Sequence, residues 1–144
     1  MKSLIAFGSV LLMFVLVIPV NADGKDDLKQ YFSKAADKVK ATENASEKRE
    51  ILNESFNNMS KALDKVLSSG LISESDRVGI EQYKATLQEK QNELEGSNGY
   101  ERVQDRQLNS FANYVVQDME QADSTVTISV IALLLIIIIV ILLV

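Results

Sequence analysis

The sequence predicts an all-α protein: a small antiparallel helical bundle or coiled-coil hairpin of three to four helices, followed by a C-terminal transmembrane helix. Between residues 25 and 124, apolar residues recur three and four positions apart in four stretches, which is the spacing of one helix face. No stretch alternates apolar and polar residues over the length of a strand. An almost uninterrupted apolar run closes the sequence and predicts a helix in a membrane.

Residues 1–22 have the order of a secretory signal peptide. A single lysine precedes an apolar centre at residues 4–20, which is broken at Pro19, and Ala22 supplies a small residue for signal peptidase. We therefore expect cleavage after Ala22, which leaves an extracytoplasmic domain at residues 23–124. An uncleaved N-terminal anchor is the alternative, because an apolar centre of about 17 residues nearly spans a bilayer.

Four apolar stripes define the helices of this domain, and each stripe lies opposite a face rich in Lys, Glu and Asn. Seams of this kind are typical of a bundle or a coiled coil. In chain order the stripes are Leu28, Phe32, Ala35, Val39 and Thr42; Leu52, Phe56, Met59, Leu63 and Val66; Ile80, Tyr83, Leu87 and Leu94; and Leu108, Phe111, Ala112, Val115, Met119 and Ala122.

The boundary between the first two helices is weakly marked. Residues 40–48 contain no glycine or proline, and only Asn44, with Glu47 three residues later, indicates a capped helix start. If Asn44 caps a second helix, the domain has four helices and both of its ends lie at the membrane. If the break is absent, residues 25–69 form one long helix and the domain is a three-element hairpin.

The later boundaries carry clearer signals. Gly70 predicts a left-handed helix end, with Leu71 folding back on the last turn. Ser73 is predicted to cap the third helix, and Asp76 lies in its first turn, where the helix dipole favours negative charge. Lys90 occupies a stripe position between two leucines, so the third stripe is thin.

The fourth helix follows a turn bracketed by Gly96 and Gly99, and only Ser124 and Thr125 separate it from the closing run. Neither residue forces a helix to end, so the sequence leaves open whether the two segments form one continuous rod.

The closing run predicts the transmembrane helix at residues 125–144. Residues 128–144 are apolar except for Ser129, and counting from Val126 gives close to the roughly 20 residues that cross a bilayer core. The acidic segment that precedes the run, residues 117–123, favours an extracytoplasmic location for the domain. A removable lipid-anchor signal is the alternative, although only Ser110 and Ala112 fit its attachment site.

Composition excludes most catalytic chemistry. The chain has no histidine and no cysteine, which removes the usual nucleophile–base pairs and the usual zinc ligands, and no nucleotide-binding glycine motif occurs. We interpret Asp26-Asp27 and Glu74 with Asp76 as solvated helix starts. We therefore expect no enzyme activity, no catalytic residue, no cofactor and no metal. A net charge of −5, with the acidic excess in residues 71–124, disfavours nucleic acid.

These features together predict a non-enzymatic, single-pass, membrane-anchored helical interaction or structural module in a cell membrane, with a bacterial inner membrane expected and the domain facing the periplasm or exterior. Its expected partners are the lipid bilayer and a protein helix, from a second copy or another protein; Tyr114 beside Phe111 widens the last apolar face for such a contact. The alternative is a small accessory subunit of an integral membrane complex, a transporter or envelope machine. A carboxylate-dependent hydrolase is a third, distant hypothesis.

Overall fold

A computed structural model describes residues 25–143 as five α-helices: α1 Lys25–Ala41, α2 Ala45–Ser68, α3 Glu74–Glu95, α4 Leu108–Thr125 and α5 Val130–Leu143. A short 3-10 helix, Asp105–Gln107, precedes α4. No strand occurs in this part of the chain, so the prediction of an all-α protein is confirmed. The predicted signal peptide lies outside the described residues.

Side-chain contacts place α2 and α3 in antiparallel register. The ammonium group of Lys84 pairs with Asp64 near the end of α2, while Arg49 near its start donates from Nη1 to the Leu94 carbonyl oxygen at 3.3 Å. Arg49 also donates from Nη2 to Asp105 at 2.8 Å. It therefore ties the long connection before α4 to the start of α2.

The first four helices enclose one core. α1 packs on α2 and α4, and α3 packs on the same two helices. Lys29, in the first half of α1, pairs with Glu120, in the second half of α4, at 3.2 Å, as antiparallel neighbours would. The arrangement is a four-helix bundle, and α5 packs on it chiefly along α2.

The predicted stripes form the core of the bundle. Every apolar residue assigned to them within the four helices is buried, because each stripe faces the others across the centre. Residues outside the predicted stripes join them: Tyr31, Ala36, Ile51 and Ala62.

The weakly marked boundary is a real break. Asn44 caps α2: its side-chain oxygen accepts a hydrogen bond from the Glu47 backbone N–H at 3.2 Å. The bundle therefore has four helices, and the single long helix over residues 25–69 is excluded. Gly70 is left-handed, with φ of +72°, as predicted, but Leu71 does not fold back. It is 72% exposed, and Ile72 packs against the core in its place.

The fourth and fifth helices are separate. Val126 follows α4 in an extended conformation, with φ of −107° and ψ of 154°, and α5 begins four residues later, so a continuous rod does not form. α5 has 14 residues, fewer than the 20 predicted for residues 125–144. Among the helices described between residues 25 and 143, none combines the length and the apolarity needed to cross a membrane.

Candidate helix-docking site

α5 lies on the bundle with one face covered and one face open. Its inner face is buried to an exposed fraction of 2% or less and consists of Ala132, Leu133, Ile136, Ile137 and Val140. Its outer face includes three side chains that remain accessible: Ile131 at 70%, Ile138 at 48% and Leu142 at 79%. We call the surface of the bundle that receives this inner face, which lies chiefly on α2, the docking site.

A polar contact fixes the start of α5 on α3. The Asp76 carboxylate accepts two hydrogen bonds from Ser129, one from its backbone N–H at 2.7 Å and one from its hydroxyl at 2.8 Å. The Ser129 hydroxyl oxygen in turn accepts from the Ala132 backbone N–H at 3.2 Å, which is the geometry of a helix cap. We call the two bonds between Asp76 and Ser129 the latch.

The latch holds a charged carboxylate. Asp76 is only 7% exposed, and burial by itself raises the pKa of its carboxyl, but the hydrogen bonds from Ser129 and Ser73 outweigh burial and bring that pKa below its ordinary value of 3.8. Asp76 is therefore ionised at neutral pH. A carboxylate that accepts a backbone N–H at a helix start makes a charge-assisted hydrogen bond, which is stronger than a neutral one.

A glycine lets the link before α5 approach α3 closely. A Cβ atom at Gly79 would lie 2.3 Å from the Thr127 carbonyl oxygen and 3.1 Å from Cγ1 of Ile128, so no other residue fits there without movement. Glycine inside a helix costs about 1 kcal/mol relative to alanine. The close approach of the link therefore explains why a glycine lies at position 79, one turn after Asp76, inside a helix.

A second polar cluster joins the other end of α3 to α4. Lys90 is 1% exposed, and its ammonium group contacts Asp118, donates to the Tyr114 hydroxyl at 2.8 Å and pairs with Glu93 at 3.2 Å. The ammonium also lies 4.1 Å from the centre of the Tyr114 ring, within the range of a cation–π interaction. Burial alone lowers the pKa of Lys90, but these partners outweigh it and raise that pKa above its ordinary value.

The acidic residues that the sequence places at helix starts differ in their exposure to solvent. Glu74 is exposed at the start of α3, as a solvated helix start would be. Asp76 instead turns inward to the latch, and Asp27 is fully buried. Tyr114 remains 42% exposed beside Phe111, but its hydroxyl belongs to the Lys90 cluster. Within residues 25–143, no group of three or more acidic residues is placed to hold a metal ion.

A small cavity lies between α1, α3 and α4. Its volume is about 190 Å³, and Leu28, Phe32, Tyr83, Met119 and Asp123 are among the residues that line it. Ligand sites usually have volumes of about 300 to 1,000 Å³. The cavity is therefore a poor candidate for a small-molecule site, and the docking site is the more informative feature.

The sequence contains signals that indicate the close approach at Gly79 and the Lys90 cluster, although we predicted neither contact. Gly79 interrupts a helical pattern, which usually indicates a close packing contact. Tyr114 and Asp118 are four residues apart on α4, so both can meet a single buried ammonium group on α3. No local sequence pattern predicts the partner of Asp76, because Ser129 lies 53 residues away along the chain.

Comparison with known proteins adds no assignment. Neither a protein-family model, nor a curated protein, nor a solved structure matches this chain.

Proposed function

We propose that this chain is a non-enzymatic, membrane-associated helical module that acts through contacts between helices. The observation that carries the proposal is the outer face of α5. Ile131, Ile138 and Leu142 expose apolar side chains on a helix that has no charged or polar residue between Val130 and Leu143. An exposed apolar face of this kind is typical of a surface that meets lipid or another protein.

The proposal extends to location. A signal peptide at residues 1–22 would export the helices, and residues 125–144 would hold them at a cell membrane, with a bacterial inner membrane as the expected one. N-terminal sequencing of the mature protein together with protease protection in sealed vesicles tests this part. A first residue of Asp23 and cleavage from the extracytoplasmic side are expected; a retained Met1 or cleavage from the cytoplasmic side would contradict it.

Vesicle flotation tests the association with lipid. The purified mature protein, proposed as residues 23–144, should float with phosphatidylcholine vesicles, and Ile138→Asp should reduce the bound fraction, because an aspartate near the centre of an inserted helix costs about 3 kcal/mol, roughly 100-fold. The matched control is Val78→Asp on α3, since Val78 and Ile138 have the same exposed fraction of 48%. If Val78→Asp stays bound to vesicles and Ile138→Asp does not, the proposal is supported. An unbound wild type, or equal binding of both variants, contradicts it.

The interaction part of the proposal has its own test. Crosslinking in the membrane should capture a second copy or another protein, and a chain that yields neither would contradict a role in helix association. Replacement of residues 128–144 by an unrelated apolar helix then separates a simple anchor from the alternative, an accessory subunit that binds its complex through this helix. Retained crosslinking supports the anchor, and lost crosslinking supports the accessory subunit.

A further inference from the structure

The latch determines where α5 begins. Ser129 caps α5 in its docked position, so the helix begins at Val130, and its described part, Val130–Leu143, is about 21 Å long at 1.5 Å per residue. A bilayer core is about 30 Å thick. In the docked position, therefore, the described helix is shorter than a bilayer core.

The link between α4 and α5 contains no residue that breaks a helix. Residues 124–143 include neither glycine nor proline, yet Val126 is extended. At this break the link contacts α3 at Asp76 and Gly79. A helix that began at Val126 and ran to Leu143 would be about 27 Å long, close to the length that a bilayer core requires.

We infer that residues 126–143 form a switch segment with two locations, the docking site on the bundle and the lipid bilayer, and that Asp76 and Gly79 hold it in the first. The inference rests on the proposed membrane association and adds what regulates it. Docking covers only the inner face of α5, whereas a bilayer covers both faces and favours a helix that continues through residues 126–129, because every backbone group must be paired there. On release, the Asp76 carboxylate returns to water.

The contacts at the start of the segment give the docked position its specificity. An apolar helix face alone packs on many apolar surfaces, but the latch needs a carboxylate opposite Ser129, and the approach of Thr127 needs a glycine at position 79. Loss of either should therefore shift the segment toward lipid without changing the apolar surface that lipid contacts.

Partition between buffer and vesicles tests the inference on the mature protein, residues 23–144. Asp76→Ala should raise the ratio of vesicle-bound to free protein by roughly 10- to 150-fold, the range for loss of a hydrogen bond to a charged group. The matched control is Glu74→Ala, because Glu74 lies in the same first turn of α3 with its side chain 85% exposed. Its ratio should stay within about twofold of the wild type. A rise of the control to the same extent as Asp76→Ala would overturn the inference.

Gly79→Ala provides a second variant, which leaves the latch residues unchanged. A Cβ atom at position 79 would lie 2.3 Å from the Thr127 carbonyl oxygen, so the added methyl group obstructs the docked link. The surface of α5 that meets lipid is the same as in the wild type. Gly79→Ala should therefore raise the ratio of vesicle-bound to free protein above that of the wild type.

The outcomes separate the two proposals. If wild type and all variants stay unbound, the proposed membrane association is wrong and the switch falls with it. If the wild type binds, but Asp76→Ala and Gly79→Ala bind no more than the wild type does, membrane association stands and the switch is overturned.

Discussion

The two ends of α3 hold their neighbours by different means. Near its C-terminal end, the buried ammonium of Lys90, paired with Glu93 on α3 itself, contacts Asp118 and Tyr114 on α4, within a core that α3 and α4 share. Near its N-terminal end, the latch joins a carboxylate to an uncharged serine. The carboxylate can return to water on release, and the serine N–H can pair within a longer helix.

This difference indicates that the contact between α3 and α4 is permanent and that the contact between α3 and α5 is releasable. Separation of α3 from α4 would expose the apolar residues that the two helices bury between them. The hydrogen bonds of the latch contribute about 1.5 to 3 kcal/mol, which a change of environment for α5 can offset.

The largest effect is expected at the permanent end. Lys90→Ala should lower the free energy of unfolding by about 3 kcal/mol, because it removes the cation from Asp118 and Glu93; the partial exposure of Asp118, at 29%, keeps the loss at the lower end of the range for a broken buried pair. Urea unfolding followed by circular dichroism measures the loss.

The control at the permanent end is Lys61→Ala, an exposed lysine on α2, which should change the free energy of unfolding by no more than about 0.5 kcal/mol. If Lys90→Ala and Lys61→Ala are equally stable, the Lys90 cluster does not hold α3 to α4.

An intermediate effect is expected from Gly79→Ala. If the switch segment is docked, the added methyl group meets the Thr127 carbonyl oxygen, and the overpacking should outweigh the helix propensity of alanine, for a net loss of about 1 kcal/mol in vesicle-free solution. If the segment is not docked, the same change should stabilise α3 by about 1 kcal/mol. The sign of the change in unfolding free energy therefore reports the docked position, with the exposed Glu81→Ala in the same helix as a control.

The smallest effect concerns pH. The pKa of Asp76 lies below 3.8 in the folded protein because Ser129 and Ser73 donate to its carboxylate, so the latch contributes its full stability above pH 3.8 and loses it as the pH falls through the lower folded pKa. The chemical shift of the Ser129 amide proton should be constant from pH 8 to 5 and change only below pH 3.8. The Leu71 amide, which donates to the uncharged hydroxyl of Ser69, should not follow this titration. A midpoint above 4 at Ser129 would contradict the latch.

Sequence reasoning recovered the parts of the fold that follow from local pattern. The stripes were predictable because the helical period alone decides which residues face the core. The caps at Asn44 and Ser73 were predictable because their partners lie three residues away. The prediction that Leu71 folds back on α2 was wrong because either Leu71 or Ile72 can turn toward the core after a left-handed glycine. In this chain Ile72 does so.

The candidate site required information that no local pattern contains. Asp76 fits the preference for a carboxylate in the first turn of a helix, so the sequence offers no reason to expect its contact with Ser129. An apolar run of the length of residues 126–144 predicts a membrane helix whether or not the helix can also pack on a bundle. Lys90 was recognised as an odd residue in the third stripe, but its partners on α4 depend on how α3 and α4 pack. Contacts between distant segments decide these points.

The most direct test of two locations for the switch segment is a pulsed electron resonance distance between spin labels at Lys61→Cys on α2 and Leu142→Cys on α5, both exposed positions. In vesicle-free solution the account predicts one narrow distribution, from the docked segment. Phosphatidylcholine vesicles should add a second population at longer distance, and its share should increase when Asp76→Ala is introduced. A distribution that vesicles and Asp76→Ala both leave unchanged would contradict a releasable α5.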